Sequence, residues 1–354
     1  MAFESTTLMY TLTAWASIHL SQIDTRFQEV ALQHRGAALR LLKTELEETT
    51  ISREIWLAVT MALCSMEIIS DGVQNWYEHL VGGATALRFS LDRSAPHSSD
   101  ITELATIEGK WLMKNFAYHD ILTSVTMDRP PILAGDYWVD QDDQPADPYF
   151  GLAGQIVFLV GQTSHLNADL AAAKSEDPLF SYHLPGRAVG AKFSDRARAI
   201  ENELLDWKYP SQYCGSSLAQ LAETYRDAAL LHLYRTLRRH LAAYATVLNQ
   251  KIRRHVESIC AKVRDMPTGC LPECTLLFPL FMAGGEAEEL AHIAVIREKM
   301  RVINENRRFR NIEVCLQILD ELWRLRIAGA GNESGNRVDW LDVIQLKGYK
   351  LAIT

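Results

Sequence analysis

SLAQLAETYRDAALLHLYRTLRRHLAAYATVLNQKIRRHVESICAKV, residues 217–263, decides the fold class. Leu221, Tyr225, Ala228, Leu231 and Leu237 recur close to the period of an α-helix and mark a buried face. A bend or break is expected around Ala243. The alternation of apolar and polar residues that a half-buried strand requires is almost absent from the whole chain. The expected class is therefore all-α: a compact multi-helix array of antiparallel helix pairs without significant sheet.

On the N-terminal side, residues 6–48 predict two helices, because Leu12, Trp15, Ile18 and Leu20, then Val30, Ala37, Leu39, Leu41, Leu42 and Leu46 recur at mostly helical spacing. Their break is expected within 21–25. Ser52 is an N-cap candidate for a third helix with Trp56, Val59, Leu63 and Met66 on one face, stopped by Asp71-Gly72. The next helix keeps its apolar rhythm through Gly82-Gly83, so these glycines are read as places of close packing. Residues 94–99 read as a loop and 101–125 as a helix ended by Arg129-Pro130-Pro131. The acidic stretch GDYWVDQDDQPADP at 135–148 reads as a long loop. Helices are expected over 151–170 and 194–207. Beyond the opening run, the pattern predicts a Pro-started segment over 272–282, helices over 286–304 and 311–326, and a last helix beginning near Asp339. No repeat of fixed period is present, and one domain spanning 1–354 is expected.

The chain has 354 residues, 48% hydrophobic and 23% charged, enough to bury one large core or two coupled ones. A net charge of −8 argues against a chain that holds nucleic acid by itself, since phosphate binding needs a concentrated excess of Lys and Arg. Cys64, Cys214, Cys260, Cys270, Cys274 and Cys315 contain no C-x-x-C pair, so neither a metal site nor a cofactor is expected. Their placement within apolar stretches suits reduced thiols and an intracellular compartment. The N-terminal MAFESTTLMYTLTAWASIHLSQ lacks a basic leading segment and is interrupted by Thr, Ser and His; it reads as a helix of the fold, not a signal peptide or membrane anchor.

Five segments follow one another along the chain. They are HRGAALRLLKTEL (34–46) with LAVTMALCSMEIISDGVQNWYEHLVGGATAL (57–87); FAYHDILTSVTMDRPPIL (116–133); DPYFGLAGQIVFLVGQTSHLN (147–167); YRDAALLHLYRTL (225–237); and LLFPLFMAGGEA (276–287) with LDELWRLR (319–326) and VDWLDVIQLKGYKL (338–351). This ordered set resembles the second fungal-specific transcription factor domain family, the regulatory region that follows a six-cysteine zinc cluster in many fungal activators. Asp120 and Gly151 match its pattern most plainly, and Gly83-Ala84 supplies the family's Gly-Ala pair with one residue inserted before it. The resemblance implies an all-helical regulatory domain in the nucleus or cytoplasm. The cysteine array of the zinc cluster does not occur in this sequence, so direct DNA binding by it is not expected.

Trp76, Tyr77 and His79 read as a ligand-pocket rim, although a Trp and a His filling a helix pair carries more weight. His119 and Asp120 are adjacent on a helix and point roughly 100° apart, so they form no dyad, but either can serve a pocket alone. Glu67 reads as a structural carboxylate needing a partner. Asp140, Asp142, Asp143 and Asp147 read as a solvated loop, and the clusters Arg238-Arg239-His240, Arg253-Arg254-His255 and Arg307-Arg308-x-Arg310 as solvated helix faces. Gly284-Gly285 fits either a helix junction or a close ligand approach. No Gly-x-Ser-x-Gly and no His-Glu-x-x-His occurs.

Two functions follow. The first is a transcription regulatory domain controlling metabolic or secondary-metabolite genes through a small-molecule effector, a zinc-cluster factor or co-regulator, or a second copy of itself, with no nucleic acid and no membrane as direct partner. The second is a helical-scaffold enzyme, a cyclase or isomerase, using His119, Asp120 or His79.

Overall fold

The computed structural model describes residues 1–93, 104, 106–138, 146–147, 149–176, 188–329 and 337–354. The helices are α1 (Thr6–Ser21), α2 (Phe27–Glu47), α3 (Arg53–Ser70), α4 (Trp76–Arg93), α5 (Ile107–Thr126), α6 (Gly154–Glu176), α7 (Ala188–Asp206), α8 (Ser217–His240), α9 (Ala245–Asp265), α10 (Leu277–Glu286), α11 (Leu290–Arg307), α12 (Arg310–Gly329) and α13 (Trp340–Lys347). Among the described residues the nearest thing to a sheet is one isolated bridge, Asp147 to Gly151. The class is all-α.

Side-chain caps set several starts. Ser52 Oγ accepts from the Ile55 amide (3.3 Å), as its position predicts, and Thr106 does the same for Gly109 (2.9 Å). Asp339 and Asp342 close a capping box on α13. The expected break near Ala243 falls at a short 3-10 turn, Ala242–Tyr244, between α8 and α9. The loop expected over 94–99 lies outside the described residues, as do Asp140, Asp142 and Asp143.

Apolar side chains gather in two clusters. The smaller is built by α1, α2, α3, α4 and the first half of α5; the larger by the second half of α5 and the helices after it. α5 serves both, which is why Leu112, Met113, Phe116, Tyr118, Ile121, Leu122 and Val125 are all buried and no polar stripe runs along it. Residues 349–354 return across the seam: Ala352 packs in the smaller cluster, Leu351 and Ile353 in the larger.

Two expectations are corrected. Gly284 and Gly285 lie inside α10, not at a junction, and sit against Leu319 of α12 and Trp340 of α13 so closely that a Cβ on either would fall within 2.6 Å of those side chains. Arg238, Arg239 and His240 are not a solvated face. Arg238 pairs with Glu286 (2.7 Å), Arg239 with Asp128 (2.8 Å), and His240 Nε2 lies 3.0 Å from Asn167 Oδ1 in the interior. Long-range carboxylates make that cluster structural, whereas Arg253 and Arg310 remain in solvent. Three cysteines, Cys64, Cys260 and Cys315, are buried in helices; the other three lie outside α-helices.

Candidate functional site

Three helices leave a hollow on the smaller cluster because each presents one stripe to it. Leu8, Leu12 and Trp15 come from α1; Ala58, Met61, Ala62 and Ser65 from α3; Ile107, Glu108, Trp111, Leu112 and Asn115 from α5. These positions follow the i, i+3/i+4, i+7 rhythm of single helix faces. The small side chains of Ala58 and Ala62 leave room that larger residues would fill, and the result is a cavity of about 630 Å³ whose lining also includes Met1, Ala2 and Tyr149. Its mouth is apolar: Ile107, Trp111 and Leu12 are 85%, 45% and 42% exposed.

The polar groups are few and held in place. Trp15 Nε1 donates to Ser65 Oγ (3.2 Å), fixing the indole against α3. The rings of Trp111 and Tyr149 lie 5.2 Å apart, and burial pushes the Tyr149 hydroxyl well above its ordinary pKa. Glu108 and Tyr149 are the ionisable side chains of the lining. A low-polarity cavity with one side-chain amide, two hydroxyls and one rim carboxylate can bind and orient an apolar molecule.

The five residues singled out from sequence lie elsewhere, and none lines this cavity. Trp76 is fully buried, and its Nε1 donates to the Lys350 carbonyl (2.7 Å). Tyr77 meets Trp76 edge-on and carries Arg129 and Lys350 over its ring at 5.3 and 5.1 Å. His79 is half-buried, and burial, then the Arg35 charge, draw its pKa down. His119 Nδ1 shares a 2.9 Å hydrogen bond with Thr354 Oγ1, and burial pulls this imidazole to about 4. Asp120 accepts from both terminal nitrogens of Arg129 (3.1 Å each) and from the amides of Ile132 (2.9 Å) and Leu133 (3.0 Å). Helical geometry keeps His119 and Asp120 apart, as their adjacency predicts. Trp76, Tyr77 and His119 instead meet on residues 349–354, which they hold beside α5.

Other candidates resolve into structural pairs. Glu67 pairs with Arg35, and Asp147 pairs with Lys114 (2.8 Å) while accepting from the amides of Tyr149 and Phe150. No group of three His, Cys, Asp or Glu side chains converges among the described residues. No helix among them is long and apolar enough to cross a membrane.

The cavity residues missed from sequence, Ala62 and Trp111 above all, carried one signal: stripes that mix the smallest and the largest side chains. Such a stripe packs poorly against a uniform partner face and leaves space.

The model of the fungal specific transcription factor domain matches residues 1–354. Transcriptional activator protein UGA3 of Saccharomyces cerevisiae is similar, 24% identical over 218 residues, which cover 51% of this chain and 41% of that protein. The similarity thus spans less than half the length of that relative. No solved structure matches the chain. The chain belongs to the fungal specific transcription factor domain family, and transcription regulation is the role that membership gives it.

Proposed function

We propose that the chain is an effector-sensing regulatory domain, in which a small apolar molecule seated between α1, α3 and α5 changes transcriptional output in the nucleus. The observation that carries this reading is the cavity of about 630 Å³, apolar in its walls and sparing in polar groups. Its size falls within the roughly 300–1,000 Å³ of small-molecule sites. α5 supplies the route outward. Its first half lines the cavity, and its second half carries His119 and Asp120, which hold residues 349–354 and the chain after α5. A ligand that favours one packing of α5 therefore biases both clusters. The controlled genes are metabolic or secondary-metabolite genes, and the change is passed to a zinc-cluster factor or a co-regulator.

The test is a tethered reporter: the chain fused to a heterologous DNA-binding domain in a fungal host, with Ala62→Phe to fill the cavity. The wild-type fusion shifts reporter output relative to the DNA-binding domain alone, and Ala62→Phe abolishes or locks that shift. A fusion that leaves the reporter unchanged in both forms removes the regulatory reading; an equal shift in both removes the cavity from it.

A further inference from the structure

Arg326, near the end of α12, donates from Nε to the Val338 carbonyl (3.0 Å). Its two terminal nitrogens are shielded from solvent, and among the described residues neither has a hydrogen-bond partner. The acids whose charge reaches it are engaged: Glu286 by Arg238 (2.7 Å) and Arg337 (3.2 Å), and Asp339 by Arg235 (2.6 Å). Burial, then the Arg337 charge, draw the Arg326 pKa to about 10, the direction of a cation short of counter-charge. A buried donor without an acceptor carries its full desolvation cost, so an acceptor that reached this fork would relieve it.

Arg326 and Arg337 line a cavity of about 380 Å³ whose walls include Leu290, Ile293, Trp323 and Val338, with Glu288 also in the lining and paired to Arg337 (3.3 Å). It shares no lining residue with the cavity between α1, α3 and α5. We propose that it is a second ligand site, one that takes a small organic acid: a single carboxylate on the Arg326 fork, with an apolar body against Trp323 and the aliphatic wall. A planar guanidinium matches the two oxygens of a carboxylate. The apolar walls favour one charge on a hydrocarbon frame over a multiply charged anion.

The test is isothermal titration of the full chain with sodium octanoate, with 1-octanol as the uncharged control. In the Ala62→Phe chain, whose other cavity is filled, octanoate binds saturably at one site and raises Tm; octanol does not. Arg326→Met weakens octanoate at least tenfold, read well below the variant's own Tm because the substitution also removes the Nε bond to the Val338 carbonyl. Arg326→Lys retains part of the affinity, and Ala62→Phe leaves it unchanged. The proposal is overturned by no saturable binding, by equal binding of octanoate and octanol to the Ala62→Phe chain, or by undiminished affinity in Arg326→Met. Octanoate binding lost in Ala62→Phe but kept in Arg326→Met seats the acid in the other cavity, which overturns this site while leaving the effector reading intact.

Discussion

The Trp76 indole donates to the Lys350 carbonyl across 2.7 Å, joining positions 274 residues apart. The Lys350 amide in turn donates to the Val73 carbonyl (2.7 Å), and Thr126 Oγ1 to the Leu351 carbonyl (2.6 Å). Residues 349–354 thereby tie the α3–α4 turn to the end of α5. Trp76→Phe leaves that carbonyl without its donor and is expected to lower stability by about 1–3 kcal/mol in urea denaturation. Removal of 349–354 is expected to cost more, because the side chains of Leu351, Ala352 and Ile353 are fully buried. A truncated chain with the wild-type midpoint contradicts the role assigned to this segment.

Asp120 is the anchor of the chain that follows α5. Asp120→Ala strands the Arg129 guanidinium and the amides of Ile132 and Leu133, and is expected to cost about 3–5 kcal/mol. In a double-mutant cycle, Arg129→Met is expected to recover part of that loss in the Asp120→Ala background. Additive losses show that the pair does not act as a unit.

Two glycines give opposite expectations. A Cβ at Gly285 falls 2.4 Å from Trp340 Cδ1, so Gly285→Ala forces α10 away from α13 and is expected to lower stability by about 1–3 kcal/mol. At Gly161, in mid-α6, the nearest atom to a Cβ is 3.6 Å away, an ordinary contact with Ile121. Gly161→Ala is expected to raise stability by about 0.4–1 kcal/mol. Thermal melts of the two variants check both signs.

Three interior histidines set the acid limb of stability. Burial holds His119 and His240 to about 4 and His232 to about 3, against an ordinary 6.5. All three are neutral in the folded and unfolded chain above 6.5. As pH falls below that value, the unfolded chain takes up protons that the folded chain refuses, so stability is lost down to the folded pKa values. The slope approaches about 1.4 kcal/mol per pH unit for each histidine. Urea midpoints at pH 7.0, 6.0 and 5.0 measure it, and His232→Gln is expected to flatten the dependence by about a third. A midpoint that does not fall between pH 7.0 and 5.0 contradicts the neutral burial of these side chains.

Local signals carried the helices, while long-range pairing carried the misreadings. Ser52, Asp71-Gly72 and the break near Ala243 act within one turn of chain, and the structure follows them. Arg238 and Arg239 read as solvated because Glu286 and Asp128 stand 48 and 111 positions away, and no helical period points to either. Trp76 and His119 looked like pocket residues for the same reason: a buried aromatic or imidazole beside polar neighbours has the same local pattern whether it meets a ligand or the chain's own residues 349–354. The cavity is the converse. Each of its stripes can be read from α1, α3 and α5 singly, but only their convergence creates the space between Ala62 and Trp111.

Native mass spectrometry of the chain purified from a fungal host tests the effector cavity most directly, with wild type, Ala62→Phe and Arg326→Met measured side by side. A sensing cavity between α1, α3 and α5 predicts a small-molecule adduct on wild type and Arg326→Met that is missing from Ala62→Phe. A wild-type chain that carries no adduct, or an adduct that Ala62→Phe retains, contradicts it.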